Sequence, residues 1–261
     1  MNGDTIMTTA RLAPGRLRMT PARILTLVIG VPLVLALIGW TGFGVVAEFG
    51  QAGFPVSYTV PVDHGQLVAH VASGNVTVQP AAGTAGTTAG TTAHLTGNVH
   101  YSLIRPDIIN RITVTSTTIG LNCRTQLGNC ELDATLSVPY DTAVTLSSGG
   151  GDLTASTLAG QLRFDTEGGN IDGDTLTAPY LHAESGGGDV TLVFTKPPGD
   201  LDITSDGGNV TVVLPRGATT YRVATTPDGG NFSGGVPTSD SASNTITIDS
   251  GGGDISLTEA S

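Results

Sequence analysis

The sequence predicts an all-β protein whose main part is a parallel β-solenoid. A phrase of two or three glycines, then Asp or Asn, then an alternating apolar strand occurs six times in the C-terminal half. Counted from its Asp or Asn, the phrase recurs after 18, 19, 20, 22 and 23 residues. A repeat of about twenty residues is typical of one supersecondary unit stacked on copies of itself. Because the steps are unequal and a strict solenoid favours a constant rung length, a β-sandwich is the alternative fold.

Each repeat unit is predicted to consist of two strands joined by a turn. In the segment LDITSDGGNVTVVL, Leu201 and Ile203 alternate with polar residues before the glycines, and Val210 and Val212 alternate with polar or aliphatic residues after them. This period of two indicates one apolar face for each strand. Two short strands expose as much apolar surface as they cover. Burial therefore requires units stacked at the usual strand spacing of about 4.8 Å.

The glycines and the Asp or Asn of each phrase are interpreted as turn residues. Glycine adopts positive φ without steric cost, and Asp or Asn can bond neighbouring backbone N–H groups. We therefore expect positive φ at the glycines and a structural role for the turn residues Asn75, Asp152, Asn170, Asp189, Asn209, Asn231 and Asp254. The large side chains expected to fill the core of this half are Phe164, Tyr180, Phe194, Tyr221 and Phe232.

The N-terminal part of the chain predicts the compartment. An uncharged, apolar run begins at Ile24 and ends at Val46, and it is long enough to cross a bilayer. Four arginines precede it, so the positive-inside rule leaves residues 1–23 in the cytoplasm. We expect a single-pass membrane protein with a transmembrane signal-anchor helix at residues 24–47 and an extracellular C-terminal domain. Cleavage after residues 45–47 is the alternative, although the run is longer than the roughly 7 to 15 apolar residues of a signal peptide.

Between this segment and the repeats, the sequence predicts a stalk and a lead-in to the solenoid. Gly50 and Pro55 indicate a short flexible stalk at residues 48–57. The exported β-repeat domain then covers residues 58–261. Within it, the tract at residues 81–93 consists mainly of Ala, Gly and Thr and is predicted to be a mobile loop.

The charge of the exported part limits the kinds of molecule that it is expected to bind. After the apolar run there are seven basic and 21 acidic residues, which gives a formal charge of −14. This balance argues against nucleic acid as a partner. Its simplest consequences are solubility and repulsion between copies, while attraction of divalent cations or basic surfaces is the alternative.

The two cysteines are predicted to form a disulfide. Cys123 and Cys130 both lie on the exported side, where disulfides persist. A loop this small would stabilise the fold by about 2 to 3 kcal/mol, which fixes a local turn without holding the domain together. Zinc is disfavoured because a zinc site uses four ligands and no histidine cluster lies nearby.

The residues also carry a family resemblance. The run CELDATLSVPYDTAVTLSSGGGDL, the repeated GGD and GGN phrases and the segment GGNVTVVLPRGATTYRV resemble the bacterial β-strand-repeat family named "putative adhesin", a domain of unknown function. The membrane-anchored layout resembles its actinobacterial members. The resemblance covers residues 66–257, and it implies an extracytoplasmic β-solenoid with no catalytic residue to carry over. The chain departs from the pattern at residues 81–93 and at Gly234 and Gly235, where we expect the rung to bulge outward.

Catalysis and cofactors are not expected. Asp202 and Asp206 resemble a possible acid and base pair, but carboxylates recur at every turn instead of converging once. The five histidines lie in no nucleophile motif. Calcium between stacked turns, as in nonapeptide toxin repeats, is the one cofactor alternative. Asn at three of the six turn positions weakens the calcium alternative, since it halves the negative charge of the stacked turns.

The sequence therefore favours a binding role without catalysis. A rigid rod that displays repeated Thr, Ser and Asn side chains can bind another surface through many weak contacts. We expect a membrane-anchored adhesin or surface-binding module that contacts the membrane through residues 24–46 and meets an envelope polymer or a surface protein. A structural spacer or a component of cell-envelope stress sensing is the alternative. The sequence contains no aromatic-rich segment that would indicate which ligand is bound.

Overall fold

The structure, a computed structural model, describes residues 51–62, 66–81, 91–102, 105–112, 117–122 and 130–261. These residues form 19 strands and no helix. The first nine strands are β1 (Gln51–Pro61), β2 (Gln66–Val71), β3 (Val76–Pro80), β4 (Thr92–Ser102), β5 (Asp107–Ile112), β6 (Thr117–Asn122), β7 (Cys130–Val138), β8 (Ala143–Ser148) and β9 (Leu153–Ser156). The others are β10 (Leu162–Thr166), β11 (Ile171–Leu176), β12 (Tyr180–Ser185), β13 (Val190–Phe194), β14 (Asp200–Ser205), β15 (Val210–Leu214), β16 (Tyr221–Pro227), β17 (Phe232–Gly234), β18 (Asn244–Ser250) and β19 (Ile255–Glu259).

The strands form two sheets. Sheet A has the order β1-β4-β7-β3-β9-β11-β13-β15-β19-β17, and sheet B has the order β16-β18-β14-β12-β10-β8-β2-β6-β5. From β8 to β19 the chain alternates between the sheets, and each strand pairs in parallel with strands of neighbouring rungs. A rung is thus one strand of sheet B, a glycine turn and one strand of sheet A. This arrangement confirms the predicted parallel β-solenoid and not the sandwich.

The order of the rungs in space differs from their order in the chain. The rung β2–β3 stacks directly on β8–β9, although the paired residues, such as Gln66 and Ala143, are 77 positions apart in the chain. The last rung in sequence, β18–β19, lies between β14–β15 and β16–β17. The rung β16–β17, which contains the GGNFSGG segment, therefore becomes the outermost rung of the described solenoid.

The other end of the described solenoid is antiparallel. β1 pairs with β4, β4 pairs with β7, and β5 pairs with β6, all in antiparallel register. Two predicted boundaries need correction here. Residues 51–57, assigned to the stalk, belong to β1, because their backbone groups pair with β4. The predicted loop at residues 81–93 ends earlier than expected, since β4 begins at Thr92 and Ala93 is fully buried.

The core is a narrow aliphatic layer between the two sheets. In most strands alternate residues are buried, and the largest fully buried side chains include Phe164 and Phe194. Tyr221 is also buried, whereas Tyr180 is half-buried. The prediction that Phe232 fills the core was wrong: the side chain is 45% exposed, because β17 is the outermost strand of sheet A and no rung covers it.

The outer edge of sheet B is partly blocked against further strand pairing. The backbone N–H of Tyr221 donates to the carbonyl of Pro237, and Ser239 N–H donates to the carbonyl of Tyr221. At the other end of β16, Pro227 has no N–H to offer. These features leave only a short open edge, which is how native sheets avoid aggregation.

Two predictions fall outside the described residues. No helix among the described residues is long and apolar enough to cross a membrane, and the predicted anchor at residues 24–47 lies in the part of the chain that the structure does not describe. The same holds for Cys123. Its pairing with Cys130, the first residue of β7, stays a prediction.

Candidate functional site

The Asp and Asn residues of the turns, together with Asp133 of β7, form one continuous ladder along the edge of sheet A. Each backbone N–H donates to the side-chain Oδ1 of the corresponding residue in the neighbouring rung. Asp152 N–H donates to Asn75 at 2.9 Å, and Asn170 N–H donates to Asp152 at 2.8 Å. The complete order in space is Asp133, Asn75, Asp152, Asn170, Asp189, Asn209, Asp254 and Asn231. We call these eight residues the Asx ladder.

Acidic and amide residues alternate strictly along the Asx ladder. In sequence the alternation fails, because Asn231 follows Asn209. In space it is restored, because Asp254 lies between them and is bonded to both. Carboxylates on adjacent rungs, about 4.8 Å apart, would repel by about 0.9 kcal/mol in water, and the alternation doubles the separation to about one Debye length. The sequence predicted seven of these residues, all except Asp133, but not their order.

The last glycine of each phrase is required for close packing of the rungs and not for positive φ. Among the described glycines, φ is positive only at Gly74, Gly229 and Gly234. The expectation of positive φ at the other turn glycines was therefore wrong. A Cβ on Gly188 would lie 2.2 Å from the carbonyl oxygen of Gly169, and one on Gly208 would lie 2.2 Å from that of Gly188. Stacked turns leave no room for any side chain at this position.

In five of these turns a buried hydroxyl bonds the turn to the neighbouring rung. The Oγ of Ser185 donates to the carbonyl of Gly169 and accepts the N–H of Gly188, both at 2.9 Å. Ser148, Thr166, Ser205 and Ser250 make the same pair of bonds in their own rungs. All five are buried, so the inward polar groups of the turns are satisfied without water.

The outer face of sheet A carries a row of aligned hydroxyl side chains. The strand registers place one residue of each of the ten strands in this row, which we call the hydroxyl row: Ser57, Thr96, Thr135, Thr77, Thr154, Asp172, Thr191, Thr211, Ser256 and Ser233. Each member is half-buried or exposed. At about 4.8 Å a step the row is about 43 Å long. It is polar and regularly spaced.

Asp172 is the one charged member of the hydroxyl row. Partial burial, and then the negative charges of Asp152 and Asp189, raise the pKa of its carboxyl above 3.8. The unfolded chain therefore binds fewer protons than the folded one between the two pKa values, and the charge opposes folding at higher pH. This cost is present above the folded pKa and disappears as the pH falls below about 3.8.

We expect Asp172→Asn to raise the melting temperature at pH 7, and we expect the gain to vanish near pH 3. Thermal denaturation between pH 3 and 7 measures it. Asp206→Asn is the matched control, since it removes the same charge from an exposed turn outside the row. A gain that persists at pH 3 would contradict the electrostatic cause and indicate a packing effect.

A histidine and two acidic residues meet on the outer face of sheet B. His182 Nδ1 lies 3.0 Å from Asp202 Oδ2, and its Nε2 lies 3.8 Å from Glu184. The sequence did not indicate this group, because Asp202 joins His182 and Glu184 only through the pairing of β12 with β14. Asp206, the partner considered for Asp202, lies in the next turn. Among the described residues no group of three or more His, Cys, Asp or Glu side chains could hold a metal ion.

The fold and this surface define a class: a parallel β-solenoid whose glycine turns carry an Asx ladder. The model of the Toastrack DUF4097 family matches residues 41–258. The chain belongs to this family, and the predicted family resemblance is confirmed. Its actinobacterial character stays a prediction.

The solved structures to which this chain is similar share little sequence with it. A "putative cell adhesion protein" from Clostridium sporogenes is 14% identical with a TM-score of 0.45, over 79% of this chain and 100% of that one. A "putative adhesin" from Bacteroides fragilis is 14% identical with a TM-score of 0.43, over 79% and 97%. A "putative lipid binding protein" from Parabacteroides distasonis is 9% identical with a TM-score of 0.27, over 79% and 97%. No curated protein matches the chain.

Proposed function

We propose that the chain is a non-catalytic, extracytoplasmic binding module that meets another surface through the hydroxyl row of sheet A. The single observation behind this proposal is the alignment of ten polar side chains over ten strands, nine of them hydroxyls. One hydroxyl contact contributes only about 0.5 to 1.5 kcal/mol. Many on a rigid support act together, because the first contact fixes the position of the next.

The extracytoplasmic location in this proposal is inferred from the sequence alone. Residues 24–47 would anchor the chain in the cell membrane with residues 1–23 in the cytoplasm, and the β-domain would face outward. A disulfide between Cys123 and Cys130 agrees with that location. The names of the similar adhesins fit a surface role, and none of the three names quoted above describes an enzyme. A structural spacer or an envelope stress-sensing component is the second candidate, since the same rigid rod would serve it.

We expect the full chain, purified in mild detergent, to be retained on at least one of three immobilised surfaces: cell-wall polymer, whole envelope or host matrix protein. The double variant Thr191→Val, Thr211→Val should weaken retention at least about tenfold, because it removes two adjacent hydroxyls without changing side-chain size. Surface plasmon resonance measures this, in calcium and in chelator.

The matched control is Thr145→Val, Thr247→Val on the outer face of sheet B, which should bind like the native chain. Equal loss in both double variants would exclude the hydroxyl row as the contact surface. Retention only in calcium would support the calcium alternative. No retention on any surface would favour the spacer or the sensor.

A further inference from the structure

A depression of about 580 Å³ lies on sheet A where the antiparallel strands meet the first parallel rung. Ligand pockets usually measure about 300 to 1,000 Å³, so one small molecule would fit. Val56, Gly97 and Ala134 are aligned in register and line it. Val56 and Ala134 are buried, and a Cβ on Gly97 would lie 2.4 Å from the carbonyl oxygen of Asp133. Backbone therefore forms the floor.

Two rows of polar side chains form the walls of this depression. On one side are three members of the hydroxyl row, Thr77, Thr96 and Thr135. On the other side are Asn98 and the beginning of the Asx ladder, Asp133 and Asn75. Thr96 and Asn98 stand two residues apart on β4 and so point to the same side of the sheet.

Much of the hydrogen-bonding capacity of these walls is unused. The side chain of Asn98 is exposed and makes no hydrogen bond within the described structure. Asn75 accepts the N–H of Asp152 through Oδ1, which leaves its amide hydrogens as donors. Asp133 accepts the N–H of Asn75 through Oδ1, and its second oxygen remains as an acceptor. The depression thus offers amide and hydroxyl donors beside amide and carboxylate acceptors.

The amide, hydroxyl and carboxylate groups of the walls indicate which class of ligand the depression would bind. No Lys, Arg or His is among the described residues that line the depression, and the whole chain carries a net charge of −11, which disfavours phosphate, sulfate and uronate groups. A single carboxylate is too little for a divalent cation, which takes several oxygen ligands. A polyol matches these donors and acceptors best, because each of its hydroxyls both donates and accepts a hydrogen bond.

We propose that the depression is a binding subsite for one residue of a neutral carbohydrate. The inference rests on the proposed function, since the subsite shares Thr77, Thr96 and Thr135 with the hydroxyl row. It names the partner as a neutral glycan whose chain continues along that row, perpendicular to the strands.

The test uses the full chain in mild detergent with chelator present. Neutral trisaccharides of glucose, mannose or N-acetylglucosamine are added, and the side-chain amide resonances of the asparagines are followed by NMR. Trigalacturonate is the charged comparison. We expect a neutral trisaccharide to shift the Asn75 and Asn98 signals, and Asn98→Ala or Thr77→Val to weaken its binding at least tenfold. Thr145→Val is the control, because Thr145 lies in β8 of sheet B, outside both the hydroxyl row and the lining of the depression.

Asn98→Ala should keep the native melting temperature, since this side chain is exposed and unbonded. The proposal is overturned if no neutral trisaccharide binds, if Asn98→Ala binds as the native chain does, or if trigalacturonate binds more tightly. If the native chain is still retained on an immobilised surface through Thr191 and Thr211, only the subsite is wrong. If it is retained on none, the proposed function fails as well.

Discussion

Gly208→Ala is expected to lower the free energy of unfolding by about 3 kcal/mol, the upper part of the range for overpacked sites. The new Cβ would lie 2.2 Å from the carbonyl oxygen of Gly188 and 2.4 Å from its carbonyl carbon. Both atoms belong to backbone held by the hydrogen bonds of the neighbouring rung, so no side chain can rotate away. For a domain of this size the melting temperature should fall by about 6 to 12 °C.

Gly207→Ala provides the matched control one residue away. Its Cβ would have no neighbour closer than 3.8 Å, which is ordinary van der Waals contact. We expect a change within about 0.5 kcal/mol, as at other exposed positions. Thermal and urea denaturation of both variants measure the difference. If the two variants have the same stability, the close stacking of the turn glycines does not determine the fold as we describe it.

Ser185→Ala is expected to cost about 2 to 3 kcal/mol. The hydroxyl is fully buried and serves two backbone groups at once, the carbonyl of Gly169 and the N–H of Gly188. Its removal leaves both without a partner in a site where water has no access, and each such group costs about 1 to 3 kcal/mol. Urea denaturation should show a lower midpoint with an unchanged slope, because the folded and unfolded surfaces hardly change.

Ser185→Thr is the control for this variant. Thr166 already makes the same two bonds in the adjacent rung, so the turn accepts a threonine at this position. Near-native stability of Ser185→Thr, beside a loss in Ser185→Ala, would assign the effect to the hydroxyl. If Ser185→Ala is as stable as the native chain, the buried bonds are compensated in some other way and the locking role is wrong.

The candidate surface was only partly predictable. The threonines that follow the turns are visible in the sequence, but the hydroxyl row exists only because registers align them. Thr77 lies beside Thr154 through a pairing of strands 77 positions apart in the chain. The depression over Gly97 had no sequence signal. Its walls come from β3, β4 and β7, and the repeat did not indicate the antiparallel pairing that places β4 beside β7.

The sequence by itself determined the solenoid, the strand faces and the turn residues, since these depend on local features: a period of two in apolar residues, and glycine beside Asp or Asn. Only the tertiary structure decided the order of the rungs and the function of the glycines. Near-identical rungs offer near-identical pairing surfaces, so local patterns cannot say that Asp254 lies between Asn209 and Asn231. That order separates the carboxylates. Glycine is required at Gly208 because the turns of neighbouring rungs stack closely, and not because of the backbone φ.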